Sequence, residues 1–438
     1  MQKIQINKII STFFSFLILA SFFLGFTLNE NSAGAGADTA ELGDLKNVWN
    51  NLELFINNSI IDAINYTGSL DQTVYKSSRA PLVYIFHKIF NPFTENISEF
   101  RKSVFVFSLL GPLLFYLCLK QKFKNTQNSL LVLISLLILL SPYFRTSAFW
   151  GGEENFGIIA ALFSYLLLKL FLKEKDNYFK KKILLFLTIL VSSICVYFDQ
   201  KLLLIPGVCF FYILSLEKKF LLKISSFLIY FLFALPFIYL INLWGGIIPS
   251  SDASYRLGQI KLSHIGYTIT ILAFYLFPIL FFLKNKFINP FDNFLKKKEN
   301  IYLSFLFFFY ILLLLLSYDI NQEIDLGKGY IFKISTLVFN NSLYQSIFLY
   351  SAFFISWLVL IFFEQRNIIN NLIIIYFMLM SIFTWPLLQE YFDPLIFILA
   401  FTFLDFKLKI NYKNSYFLFA YFGIFLTGCN IYYYNLLT

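Results

Sequence analysis

Carboxylates and arginines are scarce in this chain, and they gather in a few short stretches. The densest is "SPYFRTSAFWGGEENFG", Ser141 to Gly157, which brings Arg145, Trp150, Glu153 and Glu154 close together. Others hold Asp38, Glu41 and Asp44; Arg79 in "SSRAPL"; Asp199 with Lys201; Asp252, Arg256 and Lys261; and Glu390, Tyr391 and Asp393 in "QEYFDPL". A carboxylate beside a hydroxyl can take its proton. Arginine grips phosphate through two parallel N–H bonds, and fixed cations stabilise a departing anion. Three of the five arginines (Arg79, Arg145, Arg256) fall in these stretches and Arg101 ends the polar loop that holds Arg79, although the chain has 35 Lys and Arg in all. Each residue also has a quieter reading. Asp44 suits a helix cap and Glu154 a helix N-terminus. Interfacial arginines snorkel to lipid headgroups, and Asp199 can simply pair with Lys201.

The elements that position these residues are apolar. Hydrophobic residues make up 58% of the 438 positions and charged residues 14%, where soluble domains are about 25% charged. Runs of roughly 20 apolar residues, the length of a bilayer-spanning helix, recur from end to end. The pattern predicts an all-α polytopic membrane protein, a single transmembrane domain over 1–438. About 13 spans are expected at this run length. The first covers 9–26, and the rest centre near 110, 135, 163, 190, 208, 232, 273, 310, 353, 378, 399 and 424. The first run exceeds the ~7–15-residue core of a signal peptide and reads as a span rather than a leader.

The connections alternate in charge. One set holds 23 Lys and Arg against 7 Asp and Glu, and the other holds 12 against 18. The basic set is cytoplasmic by the positive-inside rule. All the acid- and arginine-rich stretches then face out. The net charge of +10 therefore marks orientation and calls for no nucleic acid. The four cysteines are scattered in apolar runs and read as small core residues. His87 and His264 stand alone, so no zinc spacing exists and no metal ligand is assigned. No Gly-rich nucleotide loop or nucleophile elbow occurs.

The one long polar stretch is the first outside loop, 28–101. Within it "DLKNVWNNLELFIN" puts Leu45, Val48, Trp49, Leu52, Phe55 and Ile56 on one helical face. Such a helix suits a membrane surface. "SRAPLVYIFHKIF" predicts a second surface helix with Ser78 as its cap and Pro81 in its first turn.

This layout resembles the GT-C superfamily of integral-membrane glycosyltransferases, through "SAGAGADTAELGDLKNVWNN" after span one and the Pro-containing "SSRAPLVYIFHKIF". "SPYFRTSAFW", "LWGGIIPSSDASYRLGQIKLSHIGYT" and "PLLQEYFDPLIFIL" are similar to segments of the branch containing the ER alpha-1,2-glucosyltransferases and their bacterial relatives. The resemblance implies a hexose donor on a polyprenyl or dolichyl phosphate and a lipid- or glycan-linked acceptor. It implies a site on the outer face of a membrane, here a bacterial plasma membrane. It also implies a carboxylate base in the first loop. The superfamily often has adjacent acids there, whereas Asp38, Glu41 and Asp44 are spaced, which leaves the base between Asp38, nearest the membrane, and Asp44. On this reading Glu154, with Glu153, orients acceptor or sugar. Arg145, Arg256 and Lys261 hold the phosphate, and Trp150 and Tyr391 stack on sugar. Arg79, Asp252, Glu390 and Asp393 complete the candidate lining. No organic cofactor is needed, and the acids leave room for a divalent cation.

Two other readings share the outside arginines and the lipid substrate. An O-antigen-type polymerase or ligase carries its largest outside loop late in the chain, and here it comes first. A flippase or transporter of lipid-linked saccharides shows repeats and midplane polar groups, and neither is visible. Oligomeric state is not encoded in any motif.

Overall fold

The computed structural model describes residues 2–34, 43–71, 73–251, 261–283, 298–317, 328–363, 368–384 and 386–437. Asp38, Asp252 and Arg256 lie outside the described residues. The chain folds as α1 (Gln2–Thr27), α2 (Gly43–Asn57), α3 (Ile60–Tyr66), α4 (Leu82–Phe90), α5 (Ile97–Ser108), α6 (Leu110–Lys122), α7 (Asn128–Leu136), α8 (Pro142–Phe149), α9 (Glu154–Lys173), α10 (Tyr178–Phe198), α11 (Leu204–Leu216) and α12 (Phe220–Trp244). It continues through α13 (Ser263–Leu276), α14 (Lys298–Ser317), α15 (Gly329–Val338), α16 (Ser342–Phe363), α17 (Ile368–Ile382), α18 (Leu395–Phe401) and α19 (Tyr412–Leu437). Among the described residues the only extended pairing is one antiparallel bridge, Leu283 with Leu408.

Among the described residues eight helices are long and apolar enough to cross a membrane, or nine if a bent pair counts as one. The protein is an all-helical, multi-pass membrane protein. Among the described residues the expected count of 13 is not confirmed, for a local reason. Hydropathy registers apolar content but not helix breaks. The segments near 208 and 378 form shorter apolar helices, and the one near 399 is the seven-residue α18. The expected span at 135 bends by 70° where Ser141 and Pro142 interrupt it.

The chain divides into two compact units, Met1–Tyr255 with Phe419–Thr438, and Arg256–Leu418. In the first, α9 is the central span, with 67% of its apolar window buried. It packs against α6 and forms an antiparallel hairpin with α10, which in turn packs against α12. The turn from α9 to α10 carries the lysines. There Lys180 pairs with Glu174 at 3.0 Å and Lys181 with Glu217 at 2.6 Å. The opposite ends of the same helices carry Glu153, Glu154 and Asp199. Gly157 lets α9 approach the turn after α10, since a Cβ there would run into Leu202 Cδ1. Leu202 is fully buried. Gly157→Ala is therefore expected to cost about 1–3 kcal/mol, read as a lower unfolding midpoint in detergent.

Helix α2 is amphipathic as its spacing predicts, burying Leu45, Leu52 and Phe55. Its C-terminal carbonyl at Phe55 accepts from Lys88 Nζ at 2.7 Å, which ties α2 to α4. The expected cap of α4 is displaced: Pro81 takes that position, and Ser78 instead gives its carbonyl to Gln200 Nε2 at 3.3 Å. On α4, His87 sits among Phe86, Phe100 and Phe156, and burial pushes its imidazole down to about 3. It is a neutral packing residue.

Helix α12 is the least buried span, at 11% of its window, and it carries Pro236 inside. Proline removes a backbone donor, so helices containing one rely on outside groups to repair the ladder. Here Tyr197 of α10 supplies one. Its hydroxyl donates to Phe233 O at 2.5 Å and accepts from Phe237 N at 3.0 Å.

In the second unit α13 is central, with 83% of its window buried, and packs against α15, α16 and α17. Gly266 permits this, because a Cβ there would meet the Phe353 ring at 2.5 Å.

Candidate functional site

The first unit gathers a cluster of charges at the end away from its lysine-rich turns. Arg79 lies in the loop between α3 and α4. Glu153 and Glu154 begin α9, and Asp199 ends α10. Glycine makes the approach to α9 possible. Gly151 has φ of +75°, and a Cβ there would sit 2.9 Å from the Phe100 ring. Arg79 reaches all three carboxylates, with Glu154 at 2.5 Å, Asp199 at 3.4 Å and Glu153 at 3.7 Å. Lys201 meets Asp199 at 2.9 Å. Tyr84 of α4 donates a short hydrogen bond to Glu153, and Ser77 donates to it at 3.2 Å. Asn51 of α2 holds the Tyr84 hydroxyl at 3.0 Å. The surface helices thus fix the far side of the cluster.

The cluster grades from buried to open. Glu153 is 3% exposed, while Arg79 and Glu154 keep 18% and 20% of their side chains exposed. Burial pushes the Glu153 carboxyl up to about 7, against the pull of Arg79 and the Tyr84 hydrogen bond. Burial acts on Asp199 in the same direction, but Lys201 and Arg79 outweigh it and hold that carboxyl below its usual range. Tyr84, buried beside Glu153, is pushed well above the ordinary phenol value. Near neutrality a proton on Glu153 therefore leaves, among the described residues, Glu154 and Asp199 facing Arg79 and Lys201.

This has a measurable sign. The folded chain keeps the Glu153 proton in a range where the unfolded chain has released it. That group therefore favours folding fully below 4.5, and its contribution is lost as pH rises to about 7. Glu153→Gln keeps the site neutral. The stability of wild type is expected to fall relative to the variant over this window by on the order of 3 kcal/mol. Thermal unfolding in detergent across that range checks it, and a constant difference at every pH would exclude a shifted Glu153.

Of the residues singled out by sequence, Arg79, Glu153 and Glu154 come together. Asp199, Lys201, Tyr84 and Ser77 join them without having been assigned to a site. The Asp-Gln-Lys tip between two apolar runs was the signal available for the first two.

Arg145 and Trp150 belong to a different network of the same unit. Arg145 is 1% exposed and directs all five N–H donors at the chain. Nε and Nη2 go to the Glu30 carboxylate, Nη1 to Ser21 Oγ and Leu139 O, and Nη2 also to Ser21 O. Trp150 Nε1 donates to Glu30 O at 3.0 Å, and the Arg101 guanidinium lies 4.7 Å over the Trp150 ring. Neither face nor fork is left for a ligand in this arrangement. Asp44 stands exposed in the first turn of α2, a favourable place for an acid.

Lys261, Glu390, Tyr391 and Asp393 belong to the second unit. Lys261 N donates to Ile382 O at 3.2 Å, and Tyr391 and Asp393 are buried. Beside them Gln389 donates to the Tyr275 hydroxyl at 2.9 Å and accepts from Tyr330 N at 3.0 Å.

Among the described residues no group of three His, Cys, Asp or Glu side chains is arranged to hold a metal ion. In the charge cluster the Arg79 guanidinium lies among the three carboxylates. Comparison with family models, with curated proteins and with solved structures returns no match. The class that stands is the coarse one, a multi-pass helical membrane protein with a charged cluster at one end of its first unit.

Proposed function

We propose that the protein is a membrane glycosyltransferase that moves a hexose from a polyprenyl-phosphate carrier to a lipid- or glycan-linked acceptor on the outer face, as GT-C enzymes do. The observation that carries this reading is the cluster of Arg79, Lys201, Glu153, Glu154 and Asp199, at the helix ends opposite the lysine-rich turns. Such a site needs a cation able to exchange internal carboxylate partners for a phosphate, and a carboxylate beside it to orient a hydroxyl. Arg79 and Lys201 are the cations. Glu154 is the open carboxylate that orients acceptor or sugar.

In the reaction the acceptor oxygen attacks the anomeric carbon and the sugar–phosphate bond breaks. The phosphate leaves on its lipid with the bond's electron pair, and a base takes the acceptor proton. That base is a first-loop acid, Asp38 ahead of Asp44. Interactions with the leaving phosphate matter most as charge builds on it.

The test uses purified full-length protein with radiolabelled polyprenyl-phosphate hexoses, following water-soluble label or transfer to a lipid-linked acceptor. Wild type is expected to turn over, with Glu154→Gln and Asp38→Asn each slower by about a hundredfold or more. Absence of turnover with every lipid-phosphate hexose sinks the reading, as does full activity in Asp38→Asn, Asp44→Asn and Glu154→Gln alike.

A further inference from the structure

A cavity of about 420 Å³ lies between α10, α11 and α12, with Ser193, Tyr197, Gly207, Phe210, Phe231 and Ala234 on its walls. The tyrosine hydroxyls on the wall are already engaged, Tyr197 with the α12 backbone and Tyr230 with Ser192 Oγ at 2.9 Å. What faces the space is almost entirely hydrocarbon and ring. Three of the lining residues, Leu203, Phe227 and Phe231, are more than half exposed, so the mouth lies on the apolar outer face of the spans. In a bilayer that mouth opens to lipid.

The dimensions select an occupant. On α12 the lining runs from Phe227 to Phe237, roughly 15 Å of helix. The Phe237 end is nearer Trp244, the end of α12 on the same side as the charge cluster. One leaflet of hydrocarbon is about 15 Å deep. That length matches one acyl chain.

We infer that this cavity is a lipid site that takes one acyl chain of an outer-leaflet phospholipid, seated lengthwise between α10, α11 and α12. The inference rests on membrane insertion with the lysine-rich turns on the cytoplasmic side and stands apart from the transferase reading.

Gly207 offers a clean test, because nothing lies within 4 Å of a Cβ built there. Gly207→Leu places a side chain on the cavity wall, where its Cβ meets no neighbour. Ala234→Phe fills it from the exposed face of α12, so a folding failure at one position leaves the other informative. Full-length wild type and both variants are purified in mild detergent, and retained lipid is read by native mass spectrometry and by extraction. Wild type is expected to carry one phospholipid per chain. The variants, with unchanged unfolding midpoints, are expected to retain it roughly tenfold less or lower. Equal retention in all three proteins, or none in wild type, overturns the inference. Retention of a polyprenyl phosphate in place of a phospholipid, lost in the variants, overturns the acyl assignment and makes the cavity part of a donor site.

Discussion

Arg79→Lys is expected to lower transfer from a lipid-phosphate donor by about 10²–10³-fold, the loss typical of removing one preorganised charge-stabilising donor, in a protein that remains folded. The guanidinium serves three carboxylates at once, Nη2 toward Glu154, Nη1 toward Glu153 and Nε toward Asp199. Lysine keeps the charge but is a point, without the planar fork that would pass from internal carboxylates to a phosphate. Arg79→Ala is a harsher change. It leaves neighbouring carboxylates without their shared cation, and removing one partner of a buried ionic group costs about 3–5 kcal/mol. Activity and unfolding midpoint measured on both variants separate the two effects. Full turnover in Arg79→Lys would remove the cluster from the chemistry.

The second large effect concerns the fold. Arg145→Leu is expected to destabilise the first unit by about 3–5 kcal/mol, because it abandons Glu30, Ser21 and Leu139 together. Glu30 is only 13% exposed, and it also accepts from Asn430 of α19 at 3.3 Å. The loss therefore reaches α1, α8 and α19 at once. Replacing both partners is gentler, since two apolar side chains leave no stranded charge. Arg145→Leu with Glu30→Leu should recover much of the midpoint in a double-mutant cycle. Strict additivity of the two single changes would mean that the pair does not interact in the folded protein.

Properties carried by neighbours in the chain were legible beforehand. Apolar run length disclosed the membrane class, and the spacing of Leu45, Leu52 and Phe55 disclosed the buried face of α2. The pairing of Asp199 with Lys201 was readable because only Gln200 separates them. Long-range partners were not. Arg79 meets Asp199 and Arg145 meets Glu30 across more than a hundred residues, and no local pattern marks which acid an arginine will find. Sequence set Arg145 against the phosphate and gave Arg79 only a place in the lining, yet Arg145 is saturated inside the fold while Arg79 keeps 18% of its side chain exposed. The span count among the described residues differs from the expected one for a related reason. Composition alone does not distinguish the long α12 from the seven-residue α18, because turns and breaks are set by what packs alongside.

The Tyr197 hydroxyl held between Phe233 and Phe237 of α12 bears on how this protein is made. A backbone donor and acceptor left unmatched in hydrocarbon each cost several kcal/mol, so α12 with Pro236 at its middle is a poor solitary passenger into the bilayer. Synthesis delivers α10 first. When α12 emerges, the chain that carries its repairing hydroxyl has already been made, so docking on α10 is expected to accompany insertion of α12.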